Sequence, residues 1–222
     1  MGPLNLRPLI LAGGKSVRMG SPKHLLQLPD GTPLYKHHID LLRQACPDSA
    51  TVYISLAKDS VLDDFLRDAA ADVSSSPPVK VIHDVHDSNA QSESGGPAQG
   101  LLSAFRFDPT ATWLVVAVDY PLLALDALHQ LCEAYQPPVT CFRNAEGFCE
   151  PLVGIWSPEA LALLAGSESA DRGGSLPGPS SIVRRLKGKQ IELLEGDSTQ
   201  LRNVNTREDW EAVRSLVHIP RG

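Results

Sequence analysis

The chain is poor in aromatics: three Trp, four Tyr and five Phe among 222 residues. That is too thin a supply for a platform that stacks the bases of a nucleic-acid strand. Positive charge is not in excess either. Twenty Lys and Arg face 26 Asp and Glu, a formal net charge of −6. Bulk electrostatics would therefore repel a polyanion, and any phosphate must be held by a local group of cations. No apolar run approaches the ~18 residues of a membrane span. The run Pro8–Ala12, cut off by two glycines, is too short for the core of a signal peptide. Four cysteines, at 46, 132, 141 and 149, form no Cys-x-x-Cys pair. A chain of this length needs no disulfide framework, so reduced thiols in a cytoplasmic protein are expected.

What the chain does have is a regular alternation of strand-like and helix-like segments. Arg7–Ala12, Thr51–Leu56, Val79–Ile82, Trp113–Val118, Val139–Phe142 and Leu152–Trp156 are short and apolar, as buried strands are. Between them, Leu34–Cys46, the stretch from Val61 to Ala69, Pro97–Phe107, and the stretch from Leu125 to Tyr135 carry one apolar helical face each. Ser157-Pro158 opens a further helix through Leu164, and Thr206 with Asp209 forms a capping-box variant at the last one. Such alternation implies an α/β fold: a mostly parallel, Rossmann-like sheet between two helical layers, a three-layer αβα sandwich. The rhythm runs through residues 1–222 as one domain. The low-complexity stretch Gly166–Ser181 is expected to be a flexible loop.

Residues 11–23, Leu-Ala-Gly-Gly-Lys-Ser-Val-Arg-Met-Gly-Ser-Pro-Lys, are the most informative segment. Gly13-Gly14 directly after a buried strand lets the backbone approach a ligand closely. Lys15, Arg18 and Lys23 then suit a phosphate chain. Two familiar loops fail to fit. A Walker A loop would need glycine at position 9, which is Leu9. The dinucleotide fingerprint would need glycine where Lys15 and Arg18 stand. A tight turn with solvated cations is the plain alternative.

Asp119 closes the most apolar strand, where open α/β sheets place their ligands. A carboxylate there needs a cation partner. It is read either as a Mg²⁺ ligand or as the N-cap of a helix starting near Leu122. His83, Asp84, His86 and Asp87 look metal-like, but no third ligand completes a zinc site. Asp84, ending its strand, could equally make an Asx turn.

The glycine segment, as Leu11-Ala12-Gly13-Gly14-x-Ser16-x-Arg18-Met19-Gly20-x-x-Lys23, resembles the signature of the MobA-like nucleotidyltransferases. Four further segments resemble that family in the same order: Gly96-Pro97-Ala98-Gln99-Gly100, Val118-Asp119-Tyr120-Pro121, Glu150-Pro151-Leu152, and residues 203–209, Asn-Val-Asn-Thr-Arg-Glu-Asp. Together they cover almost the whole chain. The resemblance implies a glycosyltransferase-A-like sheet and transfer of GMP from GTP to molybdenum-bound molybdopterin. Magnesium would be the cofactor, with Asp119 as its ligand. Lys23 and Arg18 would act on the phosphates. The backbone at Leu11, Ala12, Gly13 and Gly14, with Gly96 and Pro97, would border the nucleotide. Asp84 would read guanine. Ser55 stands where the family often offers Asn, which opens the base contact there to question. Asn203 and Asn205 would face the acceptor or phosphate region, although Asn205 could equally orient the last helix.

The implied partners are GTP, molybdopterin and proteins that deliver or accept the molybdenum cofactor, with no nucleic acid and no membrane. A cytoplasmic monomer is expected. Arg172, Arg184 and Arg185 could close over the anionic pterin. Three alternatives stay open: a molybdopterin cytidylyltransferase, a sugar-1-phosphate nucleotidyltransferase, and a non-catalytic nucleotide-binding accessory protein. Asn203 and Asn205 count against the second, which usually carries an acidic metal ligand there.

Overall fold

Trp113-Leu114-Val115-Val116 offers no polar side chain to water, and in the computed structural model all four residues are fully buried in the middle of a sheet. The structure describes residues 5–13, 22–57, 60, 78–84, 96–170, 178–194 and 198–217. Within them lie seven strands: β1 (Leu6–Leu11), β2 (Val52–Leu56), β3 (Val79–His83), β4 (Thr112–Ala117), β5 (Val139–Arg143), β6 (Cys149–Trp156) and β7 (Lys189–Ile191). Their order across the sheet is β3-β2-β1-β4-β6-β5-β7. Neighbours are parallel except at β6, which runs against both β4 and β5.

Six α-helices accompany the strands: α1 (Leu34–Ala45), α2 (Gly96–Phe107), α3 (Leu125–Ala134), α4 (Pro158–Ala170), α5 (Pro179–Arg185) and α6 (Arg207–Val213). The chain leaves β1 through α1 to reach β2 on one side. It leaves β3 through α2 to reach β4 on the other. Right-handed crossovers in opposite directions put their helices on opposite faces. Accordingly α1 packs on α3, while α2 packs on α4, and α4 on α5. The expected α/β three-layer arrangement is therefore present.

Most expected elements recur within a residue or two. Three points differ or lie elsewhere. The stretch 166–181, expected as a loop, is helical at both ends: α4 continues to Ala170 and α5 opens at Pro179. Gly166 costs only about 1 kcal/mol in a helix, too little to stop one already packed, and Ser167 Oγ returns a bond to the Leu163 carbonyl at 2.9 Å. Strand β7 was not anticipated. Its three residues are too few to show a period. The helix expected from Val61 to Ala69 lies outside the described residues, as do His86 and Asp87. The last helix starts as expected: Thr206 accepts from the Asp209 amide, and the Asp209 carboxylate accepts from the Thr206 amide.

Candidate active site

The backbones of β1, β2, β3 and β4 stay joined for one residue past their carboxyl ends. The Ala12 amide donates to the Ser55 carbonyl at 2.9 Å, Val118 to Leu11 at 3.0 Å, and Asp84 to Leu56 at 2.8 Å. Gly13, Ser55, Asp84 and Asp119 are thereby brought to one edge. This is the point where the crossovers diverge, the crevice open parallel sheets use for ligands.

Lys23 reaches the edge from a short 3₁₀ turn, Lys23–Leu25. Its ammonium lies 3.4 Å from Asp119 Oδ2 and donates to Asn205 Oδ1 at 2.7 Å. Three segments far apart in the chain thus meet on one cation. The Lys23 and Asp119 side chains are only 15% and 22% exposed. The other Asp119 oxygen, Oδ1, is buried and has no hydrogen-bond partner among the described residues. A buried, unpaired carboxylate oxygen is costly, and a cation beside it would relieve that cost. The cap reading of Asp119 is set aside, because α3 begins at Leu125 with Ala124 at its N-cap.

A second cluster lies one strand over. Ser55 Oγ donates to Asp84 Oδ1 at 2.6 Å, and both residues are buried. The Asp84 carboxylate fills the space in which a side chain at Gly13 would have to sit, so glycine is needed there for close approach. Gly100, one turn into α2, has the same role on the other side. A Cβ on it would stand 2.8 Å from Leu11 Cδ2 and 3.0 Å from Ser55 Oγ.

The turn carrying Asp119 is anchored from the far half of the chain. Its carbonyl accepts from the Val204 amide at 2.8 Å. The next side chain, Tyr120, donates from its hydroxyl to Glu150 Oε2 at 2.6 Å, and Asn144 Nδ2 holds Glu150 Oε1 at 2.7 Å. Burial, and then the Glu150 charge, push the Tyr120 hydroxyl far above its ordinary pKa, so it remains a donor. Glu150 is reached because the β5–β6 pairing is irregular. Cys141 faces Gly154, yet Phe142 already faces Glu150. Pro151, which has no N–H for a ladder, sits inside that interruption, and its carbonyl takes the Trp156 indole N–H at 2.9 Å.

A profile of the MobA-like NTP transferase domain matches residues 8–189. The chain belongs to that family. It is 31% identical to a probable molybdenum cofactor guanylyltransferase of Rhodopirellula baltica, over 93% of this chain and 90% of that one. It is 30% identical to a molybdenum cofactor biosynthesis bifunctional protein of Synechocystis, over 91% of this chain but only 52% of that one. Among solved structures, molybdopterin-guanine dinucleotide biosynthesis protein A of Archaeoglobus fulgidus superposes with a TM-score of 0.61 at 17% identity, covering 95% of this chain and 98% of the other. That likeness speaks for the fold.

Within this MobA-like domain, Leu11, Ala12, Gly13, Lys23, Ser55, Asp84, Asp119 and Asn205 come together at one edge, in two adjoining clusters. Gly96 and Pro97 open α2, four and three residues before Gly100, where a side chain would crowd Ser55. Asn203 is exposed, next to buried Val204. Gly14, Lys15, Arg18 and Arg172 lie outside the described residues; Arg184 and Arg185 are exposed on α5. Sequence reasoning missed the direct Lys23–Asn205 bond and the Tyr120–Glu150–Asn144 brace. The Glu150-Pro151-Leu152 segment was the one signal for the brace, and it carried no assigned role.

The donor set also bears on a metal. No group of three or more His, Cys, Asp or Glu side chains is gathered among the described residues, so they supply no closed cage. One carboxylate with an orphaned oxygen fits Mg²⁺, which binds through one or two protein carboxylates and takes its other ligands from phosphates and water.

Proposed function

We propose that this NTP transferase moves GMP from GTP to the phosphate of molybdenum-bound molybdopterin, with Mg²⁺ as cofactor and release of pyrophosphate. The observation that carries the reading is the Lys23 ammonium held between Asp119 and Asn205, beside a buried carboxylate oxygen that lacks a partner. Transfer of a nucleotidyl group requires positioning and neutralisation of charge rather than a covalent intermediate. An acceptor phosphate oxygen forms a bond to the α-phosphorus, the bond from that phosphorus to the β-phosphate bridge breaks, and the electron pair leaves with pyrophosphate. The acceptor is already ionised, so no general base is needed. Lys23 offsets charge on the departing pyrophosphate, with Arg18 as a second cation. Mg²⁺ held by Asp119 would neutralise the triphosphate.

Guanine is favoured for two reasons. The Rhodopirellula relative is named for guanylyl transfer and the Archaeoglobus structure for guanine dinucleotide synthesis. In addition, a carboxylate such as Asp84 suits the two adjacent donors of guanine, N1–H and the 2-amino group, whereas cytosine offers acceptors at the corresponding edge. Molybdopterin as acceptor rests on those relatives' names. The setting that goes with this reading is a cytoplasmic monomer that exchanges cofactor with delivery or acceptor proteins. No helix among the described residues is long and apolar enough to cross a membrane.

The test is to incubate the full chain with molybdopterin, Mg²⁺ and each of the four nucleoside triphosphates, and to follow pyrophosphate. Release with GTP well above the others is expected. Release with CTP alone would move the chain to cytidylyl transfer, and no release with any nucleotide would defeat the enzyme reading.

A further inference from the structure

The described residues hold one buried histidine pinned between two carbonyl groups, and one of those groups belongs to the active-site turn. His38 lies in α1 with no solvent exposure. Its Nδ1 is 2.9 Å from the Leu34 carbonyl, one turn back in the same helix. Its Nε2 is 3.2 Å from the carbonyl of Tyr120, 82 positions later in the chain. Tyr120 is the residue after Asp119.

The two contacts are not equivalent. Leu34 O lies four residues before His38 and serves the backbone ladder of α1 in any case. Among the described residues, Tyr120 O otherwise takes a stretched turn bond from the Leu123 amide, at 3.3 Å. A buried carbonyl needs a good donor; His38 Nε2 is within reach of it and supplies that donor in the Nε2–H tautomer, which leaves Nδ1 without a proton beside Leu34 O. The preceding peptide unit is held where the Asp119 carbonyl accepts from the Val204 amide, and the Tyr120 side chain is held where its hydroxyl meets Glu150. The imidazole supplies the restraint from α1.

We infer that His38 is a positioning residue for nucleotidyl transfer: its Nε2–H fixes the Tyr120 carbonyl, and so sets where the Asp119 carboxylate stands relative to Lys23. The inference rests on the reading that Asp119 and Lys23 act on the triphosphate. His38 touches neither substrate nor Lys23. Its effect runs through one peptide group, and displacement of a reacting constellation by about 1 Å is enough to cost up to a hundredfold in rate.

Two variants separate this from a merely structural role. Glutamine can carry its amide nitrogen to where Nε2 is, and asparagine to where Nδ1 is. His38→Gln therefore keeps the donor to Tyr120, whereas His38→Asn keeps only the contact inside α1. Steady-state pyrophosphate release from GTP, with molybdopterin and Mg²⁺, is measured for both. Hydrogen–deuterium exchange is measured for the peptides covering 118–124 and 202–206. His38→Asn is expected to lower kcat about tenfold or more with KM for GTP within about twofold, and to speed exchange in both peptides. His38→Gln is expected to recover kcat to within about threefold and to restore protection. Equal loss in both variants, or wild-type kcat in His38→Asn, would overturn the inference. If wild-type protein releases no pyrophosphate, the reaction reading fails by itself, and the exchange contrast alone then decides whether His38 holds the turn. Should His38→Asn not fold, near-wild-type kcat and protection in His38→Gln supports the inference, and a tenfold loss there overturns it.

Discussion

The two ends of the same strands handle charge in opposite ways. At the amino ends, Arg7 of β1 pairs with Asp108 and lies over the rings of Tyr53 and Trp113, 5.7 and 5.8 Å from their centroids. Tyr53 and Trp113 meet edge to face at 5.1 Å, and Lys80 sits 4.7 Å over Phe107. Cations there are matched with ring faces from neighbouring strands and with Phe107 and Asp108 at the end of α2. At the carboxyl ends, Lys23 stands 3.4 Å from Asp119, whose other oxygen has no partner, and Asp84 fills the space beside Gly13. One end is closed on itself. The other keeps an unmet electrostatic demand, which is what a site for a phosphate chain and its metal requires. Substitutions at the two ends should accordingly separate stability from turnover.

The largest effect is expected at Asp119. Asp119→Asn should lower kcat by about a thousandfold while its melting temperature changes little, because loss of the Lys23 ion pair offsets relief of the buried oxygen that has no partner; turnover assays and thermal melts check both. Lys23→Met should cost about a hundredfold in kcat, read in the same assay. Gly13→Ala forces a methyl into the Asp84 carboxylate, so KM for GTP should rise about tenfold or more while melting changes little.

At the opposite end, Arg7→Ala should leave turnover at the wild-type level and lose about 1–2 kcal/mol of stability, from two cation–π contacts and a partly exposed ion pair; urea unfolding measures it. The smallest effect is at the N-cap of α6. Thr206→Ala should cost about 1 kcal/mol. The Asn205 and Thr206 amides hold the Asp209 carboxyl below its usual range. A depressed folded-state pKa means the contribution is present above the unfolded value of about 3.9 and is lost as pH falls through the folded one. Melts of wild type and Asp209→Asn between neutral pH and pH 3 should converge at the acid end.

How much of this could be read beforehand follows from the range of each signal. The run Trp113–Val116 announces a central strand by itself, since four consecutive apolar residues leave no face for water. Thr206 and Asp209 announce a helix start, because the capping box is complete within four residues. Gly13 and Asp119 could be placed at strand ends by the same local logic. What stayed hidden depends on contacts across the chain. Nothing near Asn205 reveals that its side chain meets Lys23, 182 positions earlier. His38 sits in a His-His pair with no spacing signal, and its role exists only because α1 and the Asp119 turn are neighbours. The irregular β5–β6 pairing that delivers Glu150 to Tyr120 likewise has no period to detect.

The most direct test of a transfer site at the carboxyl ends pairs Asp119→Asn with Arg7→Ala and measures initial pyrophosphate release from GTP with molybdopterin and Mg²⁺. A loss of about a thousandfold in the first, with wild-type rate in the second, is the expected result. A wild-type rate in Asp119→Asn would contradict it.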